Sequence, residues 1–272
     1  MRAALSCIGA SALALSASVV SCANGQTGGA LVQFHAYARG VDAASGSLTF
    51  DTENGFHVQL TSAFMRIGAV YMRLGQTNAG SANSSCVGDT TYGLQVPGGI
   101  EVDLLSSQLQ EFSVLGDATS DLDQSGELWL TGGDINASID ATPIVQVAGL
   151  ATKGSGVFPF LATITISSNR LLAPSNPAQP GQNPICKQRI IVPIPLQIQP
   201  SVGGDLALTI DPRPWFDSID FGDLPVSTDD PNAYEIPDLS NGSGTGVTEG
   251  RTFFNSVTQA SATQYRFDWI TP

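Results

Sequence analysis

Leu48-Thr49-Phe50-Asp51-Thr52-Glu53-Asn54-Gly55-Phe56-His57-Val58-Gln59-Leu60 decides the fold. On either side of Glu53-Asn54-Gly55, apolar and polar residues alternate, which is the period of a strand with one buried face. A two-residue Asn54-Gly55 turn would set Phe50 against Gln59 and Asp51 against Val58, mixing the faces. A three-residue loop with Gly55 in the left-handed conformation pairs Thr52 with Phe56, Phe50 with Val58 and Leu48 with Leu60. The second register is the expected one, and it sets Asp51 opposite His57 on the outer face.

The same period runs through much of the chain. Leu31 to Arg39 reads as one half-buried strand, with Val32, Phe34, Ala36 and Ala38 inward and Gln33, His35, Tyr37 and Arg39 outward. Ile67 to Leu74 reads as a strand in which Gly68 allows a close approach or a bulge. Strands are also expected at Glu127 to Leu130, Pro143 to Leu150, Phe158 to Ser167, Arg189 to Gln199 and Leu206 to Ile210. Pro193, Pro195 and Pro200 mark the run from Arg189 as an edge strand or a broken one. Tyr265, Phe267 and Trp269 share a face of a final strand. Gln76 to Gly99 and Pro174 to Pro184 read as long irregular excursions. Asn241-Gly242-Ser243-Gly244-Thr245-Gly246 reads as a flexible loop and not a phosphate cradle, since neither a Gly-Lys-Ser/Thr sequence nor a convincing helix follows. Short strands, turn-rich connections and hardly any amphipathic helix predict an all-β fold. The expected architecture is an antiparallel β-sandwich, Greek-key or jelly-roll-like, with long loops, and residues 31–272 form a single domain.

Composition narrows the function classes. With 29 glycines and 13% charged residues among 272, the chain suits a folded, turn-rich domain. Its formal charge of −13 makes nucleic acid and anionic headgroups poor partners, and cations or basic proteins better ones. There are 2 histidines, no G-x-S-x-G elbow and no H-E-x-x-H, so the chain is read as no enzyme. The carboxylates of Asp217, Asp220, Asp223, Asp229 and Asp230 read as a solvated acidic segment.

The N-terminus sets an address. Met1-Arg2 followed by the apolar, small-residue run Ala3 to Ser18 has the form of a secretory signal peptide. Val19-Val20-Ser21-Cys22 resembles the lipobox of bacterial lipoproteins. The resemblance implies that residues 1–21 are removed, that Cys22 becomes a lipidated N-terminus carrying palmitate, and that residues 22–30 form a flexible tether. Ordinary cleavage near Ser21 or Ala23 is the other reading. Asn24 stands where an aspartate would retain such a lipoprotein in the inner membrane, so the resemblance implies the outer membrane. Gly55 to Ala63, Ile67 to Tyr71, Val102-Asp103-Leu104-Leu105 and Val147-Ala148-Gly149-Leu150-Ala151 resemble stretches of uncharacterised bacterial envelope lipoproteins. That likeness implies a secreted β domain and transfers no catalytic residue. The function expected is a membrane-anchored envelope lipoprotein, with a non-catalytic sandwich for protein interaction or structure. The alternative is an envelope carrier of a ligand or metal (copper, zinc or calcium).

With Cys7 leaving in the leader and Cys22 taken by lipid, Cys86 and Cys186 remain as a pair. In an oxidising compartment one disulfide is expected. Closing a loop of about 100 residues would stabilise the fold by roughly 4–5 kcal/mol. Two metal readings stand beside bland ones. His35, His57 and Asp51 form either a transition-metal cluster or a cross-strand Asp-His pair with an unrelated histidine. Asp121-Leu122-Asp123-Gln124-Ser125-Gly126 opens like a calcium loop through Asp121, Asp123 and Ser125. Its twelfth position is Gly132 where a bidentate glutamate is needed, so Asp117 or Asp134 would have to complete it. The other reading is an acidic turn before the strand at Glu127. Peptide mapping of the exported protein without reductant is expected to yield one Cys86–Cys186 cross-linked peptide; two alkylatable thiols would refute the pairing.

Overall fold

A computed structural model describes residues 30–43, 46–74, 92–132, 141–166, 189–238, 245–259 and 263–271. The leader, Cys22 and the tether to 29, Cys86, Asp134, residues 174–184, Cys186 and residues 241–244 lie outside that set. In chain order the strands are β1 (Leu31–Phe34), β2 (Ala36–Arg39), β3 (Leu48–Asp51), β4 (His57–Ile67), β5 (Ala69–Arg73), β6 (Tyr92–Val96), β7 (Ile100–Asp103) and β8 (Gln110–Glu111). They continue as β9 (Gly116–Thr119), β10 (Asp123–Thr131), β11 (Pro143–Lys153), β12 (Gly156–Thr165), β13 (Arg189–Ile198), β14 (Asp205–Ile210), β15 (Tyr234–Ile236) and β16 (Tyr265–Ile270). Among the described residues, the α-helix α1 (Val247–Thr258) precedes the last strand.

The strands form three sheets, ordered β1-β9-β6-β5-β10-β13, β15-β12-β11-β4-β3 with β7 also on β4, and β16-β14-β2-β8. All pairings are antiparallel except β12 with β15 and β14 with β2. The architecture is an all-β sandwich, as the alternating pattern predicts. Inward residues of all three sheets, among them Val70, Leu94, Leu128, Leu60, Met65, Val145, Leu206 and Leu208, make one continuous core.

The hairpin adopts the expected register. Leu48 faces Leu60, Phe50 faces Val58 and Asp51 faces His57. Gly55 carries the positive φ of 77° that the three-residue loop needs, and the Thr52 N–H donates to the Phe56 carbonyl at 2.9 Å.

Two crossings between sheets are where the chain departs from simple strands. The run Leu31 to Arg39 is not one strand. It breaks at His35, whose N–H donates to Asp205 Oδ1 at 3.0 Å and whose carbonyl accepts from Leu206 N at 3.0 Å. The chain thereby leaves the first sheet and enters the third, where β2 runs parallel to β14. At Gly68 it passes from the second sheet to the first. The Gly68 N–H donates to the Trp129 carbonyl at 2.7 Å, and a Cβ there would overlap the Thr131 side chain, so the close approach expected of this glycine is real.

Two expectations need correction. Within the excursion Gln76 to Gly99, Tyr92–Val96 is a strand between β5 and β9. The glycine-rich loop ending at Gly246 is followed directly by α1. Phe253 and Val257 bury one face of that helix, and Gly250 lies against the Pro237 carbonyl. Phe253 packs on Trp215 and Phe216 of the short 3-10 turn Arg213–Phe216. Tyr265 Oη donates to the Val257 carbonyl at 2.7 Å and ties β16 to the helix. Tertiary packing thus overrides a poor helical sequence. Gly→Ala inside a helix ordinarily stabilises by about 1 kcal/mol, but Gly250→Ala is expected to destabilise by ~1–3 kcal/mol through overlap with Pro237; chemical denaturation of the variant measures the sign.

Candidate functional site

The site grows from β10. Leu128 and Leu130 point into the sandwich, so Ser125, Glu127 and Trp129 point the other way. These outward residues are buried as well, Glu127 to 1% exposure. A carboxylate so placed must be compensated. The pairing brings compensation across the sheet, since Arg73 stands opposite Ser125 and Tyr71 opposite Glu127, while Arg189 enters opposite Thr131.

Side chains then interlock. Arg73 pairs with Glu127 Oε1 at 2.8 Å, and Trp129 Nε1 donates to Glu127 Oε2 at 3.1 Å. The Arg189 guanidinium lies 4.0 Å over the Trp129 ring and that of Arg73 lies 5.3 Å over Tyr92. Tyr71 sits between aromatic neighbours, 4.5 Å from Tyr92 and 4.4 Å from Trp129. Burial first, and then Tyr92, hold the Tyr71 phenol above its ordinary range, with Arg189 acting against them. Desolvation lowers the Arg189 pKa from its usual value.

Arg73 and Tyr92 flank the segment that carries Cys86, and Arg189 closes the segment that carries Cys186. The Arg73 end of β5 lies opposite Ser125 and the Arg189 end of β13 opposite Thr131, so the two strand ends stand at opposite ends of β10, linked by the side chains of the cluster. Removing one partner of such a buried ion pair costs about 3–5 kcal/mol.

The histidine expectations divide. Asp51 and His57 do meet, Nδ1 to Oδ1 at 2.8 Å, on an exposed surface. His35 does not join them. It lies at the junction of the first and third sheets, with Nδ1 2.6 Å from Glu111 Oε1 and its ring stacked on Tyr37. The shared polar surface is corrected because the chain changes sheets at His35.

The calcium-loop expectation is corrected in a different way. Asp123 and Ser125 belong to β10, with a register irregularity between them, and Gly126 is paired with Ile194. From Asp123 onward the segment is therefore a bulged strand, entered through a bend at Asp121. Gly132 follows the strand end, and Asp117 accepts from Gln33 Nε2 at 3.3 Å. Asp123 is fully buried and neither of its carboxylate oxygens has a hydrogen-bond partner. Burial, and next the charge of Asp121, push its pKa from 3.8 up to about 7. Among the described residues no group of three or more His, Cys, Asp and Glu side chains is gathered to hold a metal ion.

The sequence reading missed the Arg73–Glu127 cluster. Its one local signal was the alternation Glu127-Leu128-Trp129-Leu130, which marks a strand and says nothing of Arg73 or Arg189.

No protein-family model and no curated protein sequence matches the chain. Among solved structures it is similar to MbnP from Methylosinus trichosporium, at 9% identity over 71% of this chain and 80% of that one, with a TM-score of 0.36. No residue role is transferred from that likeness.

The raised pKa of Asp123 fixes the sign of a pH effect. Its stabilising contribution is present below pH 3.8 and is lost as pH rises to about 7, because the folded state binds the proton that the unfolded state releases. In chelator-containing buffer, wild-type stability is expected to fall by on the order of a few kcal/mol across that window. Asp123→Asn should flatten the decline, as read by denaturant melts at stepped pH.

Proposed function

We propose that the chain is an exported envelope lipoprotein, anchored through acylated Cys22. Its β-sandwich is a non-catalytic module for contact with another envelope protein. The lipobox-like Val19-Val20-Ser21-Cys22 supports the anchor, and the small residue count of 22–30 would hold the domain near the membrane surface.

What supports the interaction role is where the two cysteine-bearing segments fall in the sequence. In sequence, 75–91 joins β5 to β6 and 167–188 leads into β13, all strands of the sheet that contains β10. Long segments mounted on a rigid sheet are a common design for recognition surfaces. A Cys86–Cys186 disulfide would join them into one. The acidic chain favours a partner with a basic surface. A transition-metal carrier is not favoured, because His35 and the Asp51–His57 pair each have their own separate neighbours.

Expressed with its leader in a Gram-negative host, the wild-type protein is expected to incorporate labelled palmitate and to sediment with outer membranes. Cys22→Ala should lose the label and appear in the soluble periplasmic fraction. Equal fractionation of the two, without label in either, would remove the anchor. Cross-linking in intact cells tests the second half. A single reproducible envelope partner, lost in the Cys86→Ser/Cys186→Ser double variant, is expected. A monomer cross-linked to nothing would overturn the interaction role.

A further inference from the structure

The corner between β9 and β10 holds a set of oxygen atoms that the fold leaves unused. Thr119 Oγ1, Asp121 Oδ2 and both carboxylate oxygens of Asp123 are buried and have no hydrogen-bond partner. Thr119 is 5% exposed and Asp123 0%. Buried polar atoms are nearly always satisfied, so four orphans within five consecutive residues call for a physical account.

The residues lie at one corner of the first sheet. Ala118 is paired with Leu94 across β9 and β6, so Thr119 and Gly93 are each one residue beyond the end of that ladder. The Asp123 carboxylate rests against the same glycine, where a Cβ would overlap Oδ1. Asp121 is close enough for its charge to act on Asp123. Residues 119, 121 and 123 alternate along the chain at this corner, and the missing side chain of Gly93 makes room for the Asp123 carboxylate and for Leu74. Leu122, between the two aspartates, is exposed, so the corner is near solvent.

We propose that Thr119, Asp121 and Asp123 form a binding site for a hard divalent cation of the calcium type. The donor set is oxygen alone, which suits calcium and disfavours copper or zinc. Two carboxylates neutralise a divalent charge, and the threonine hydroxyl offers a neutral oxygen. Six to eight oxygens are usual around calcium, so solvent supplies the remainder. The ligands differ from those of an EF-hand loop: Ser125 is replaced by Thr119, which comes from the preceding strand. The site does not depend on the anchor or on the partner proposed above.

The test uses the full mature protein stripped with chelator and titrated with calcium chloride, followed by calorimetry and thermal melting. One site with a Kd below about 1 mM is expected, together with a rise in Tm that grows with calcium concentration. Asp123→Asn should weaken binding at least about tenfold, and the isosteric Thr119→Val about threefold. Asp229→Asn, an exposed acidic residue elsewhere, should leave affinity unchanged and so separates the site from general screening of an acidic surface. If Asp123→Asn folds poorly, Thr119→Val decides. No heat and no Tm shift in the wild type up to about 10 mM calcium overturns the proposal. So does equal affinity in wild type and Thr119→Val, or an equal loss in Asp229→Asn.

Discussion

A strand buried on both faces has to settle the charge of every polar residue it carries, and β10 is such a strand. Its inward residues Leu128 and Leu130 belong to the sandwich core, while Glu127 and Trp129 on the opposite face are just as hidden. The Arg73–Glu127 pair, the indole hydrogen bond and the cation stacked on Trp129 follow from that one demand. The strands that supply the cations are the immediate neighbours β5 and β13, so the electrostatic solution also fixes sheet order. At the other end of the same strand, Asp123 has no such partner within the protein. One strand therefore contains both a closed ionic cluster and an open one.

Two of the crossings between sheets are made by single residues. His35 hands the chain from the first sheet to the third, and Gly68 hands it from the second to the first. In each case backbone hydrogen bonds continue through the crossing, to Asp205 and Leu206 in one and to Trp129 in the other. The layers consequently share one core.

Legibility in the sequence followed the range of the forces involved. The hairpin through Gly55 was readable because alternation and turn geometry are local and agree. The break at His35 was invisible because Val32, Phe34, Ala36 and Ala38 are all buried; the period of two runs straight through a change of sheet. The helix at Val247–Thr258 was hidden by Gly250 and by its glycine-rich approach, and it exists because Trp215, Phe216 and Pro237 give it a surface to bury. Asp121 to Gly126 looked like a loop because aspartate and glycine favour turns, yet the ladder with β13 already begins at Asp123. The charged cluster was out of reach, since Arg73, Glu127 and Arg189 meet only once the sheet is assembled.

The prolines of β13 have a further consequence. Among the described residues β13 pairs with β10 alone, with Pro193 opposite Glu127 and Pro195 opposite Ser125. A proline is accommodated in a ladder where its missing N–H would have pointed away from the neighbour. The outer rim of the first sheet therefore lacks two successive donors, and a foreign strand aligning there would find its carbonyls unanswered. Such a rim resists templated stacking of one copy on the next, a protection that counts most for molecules held at high density in two dimensions.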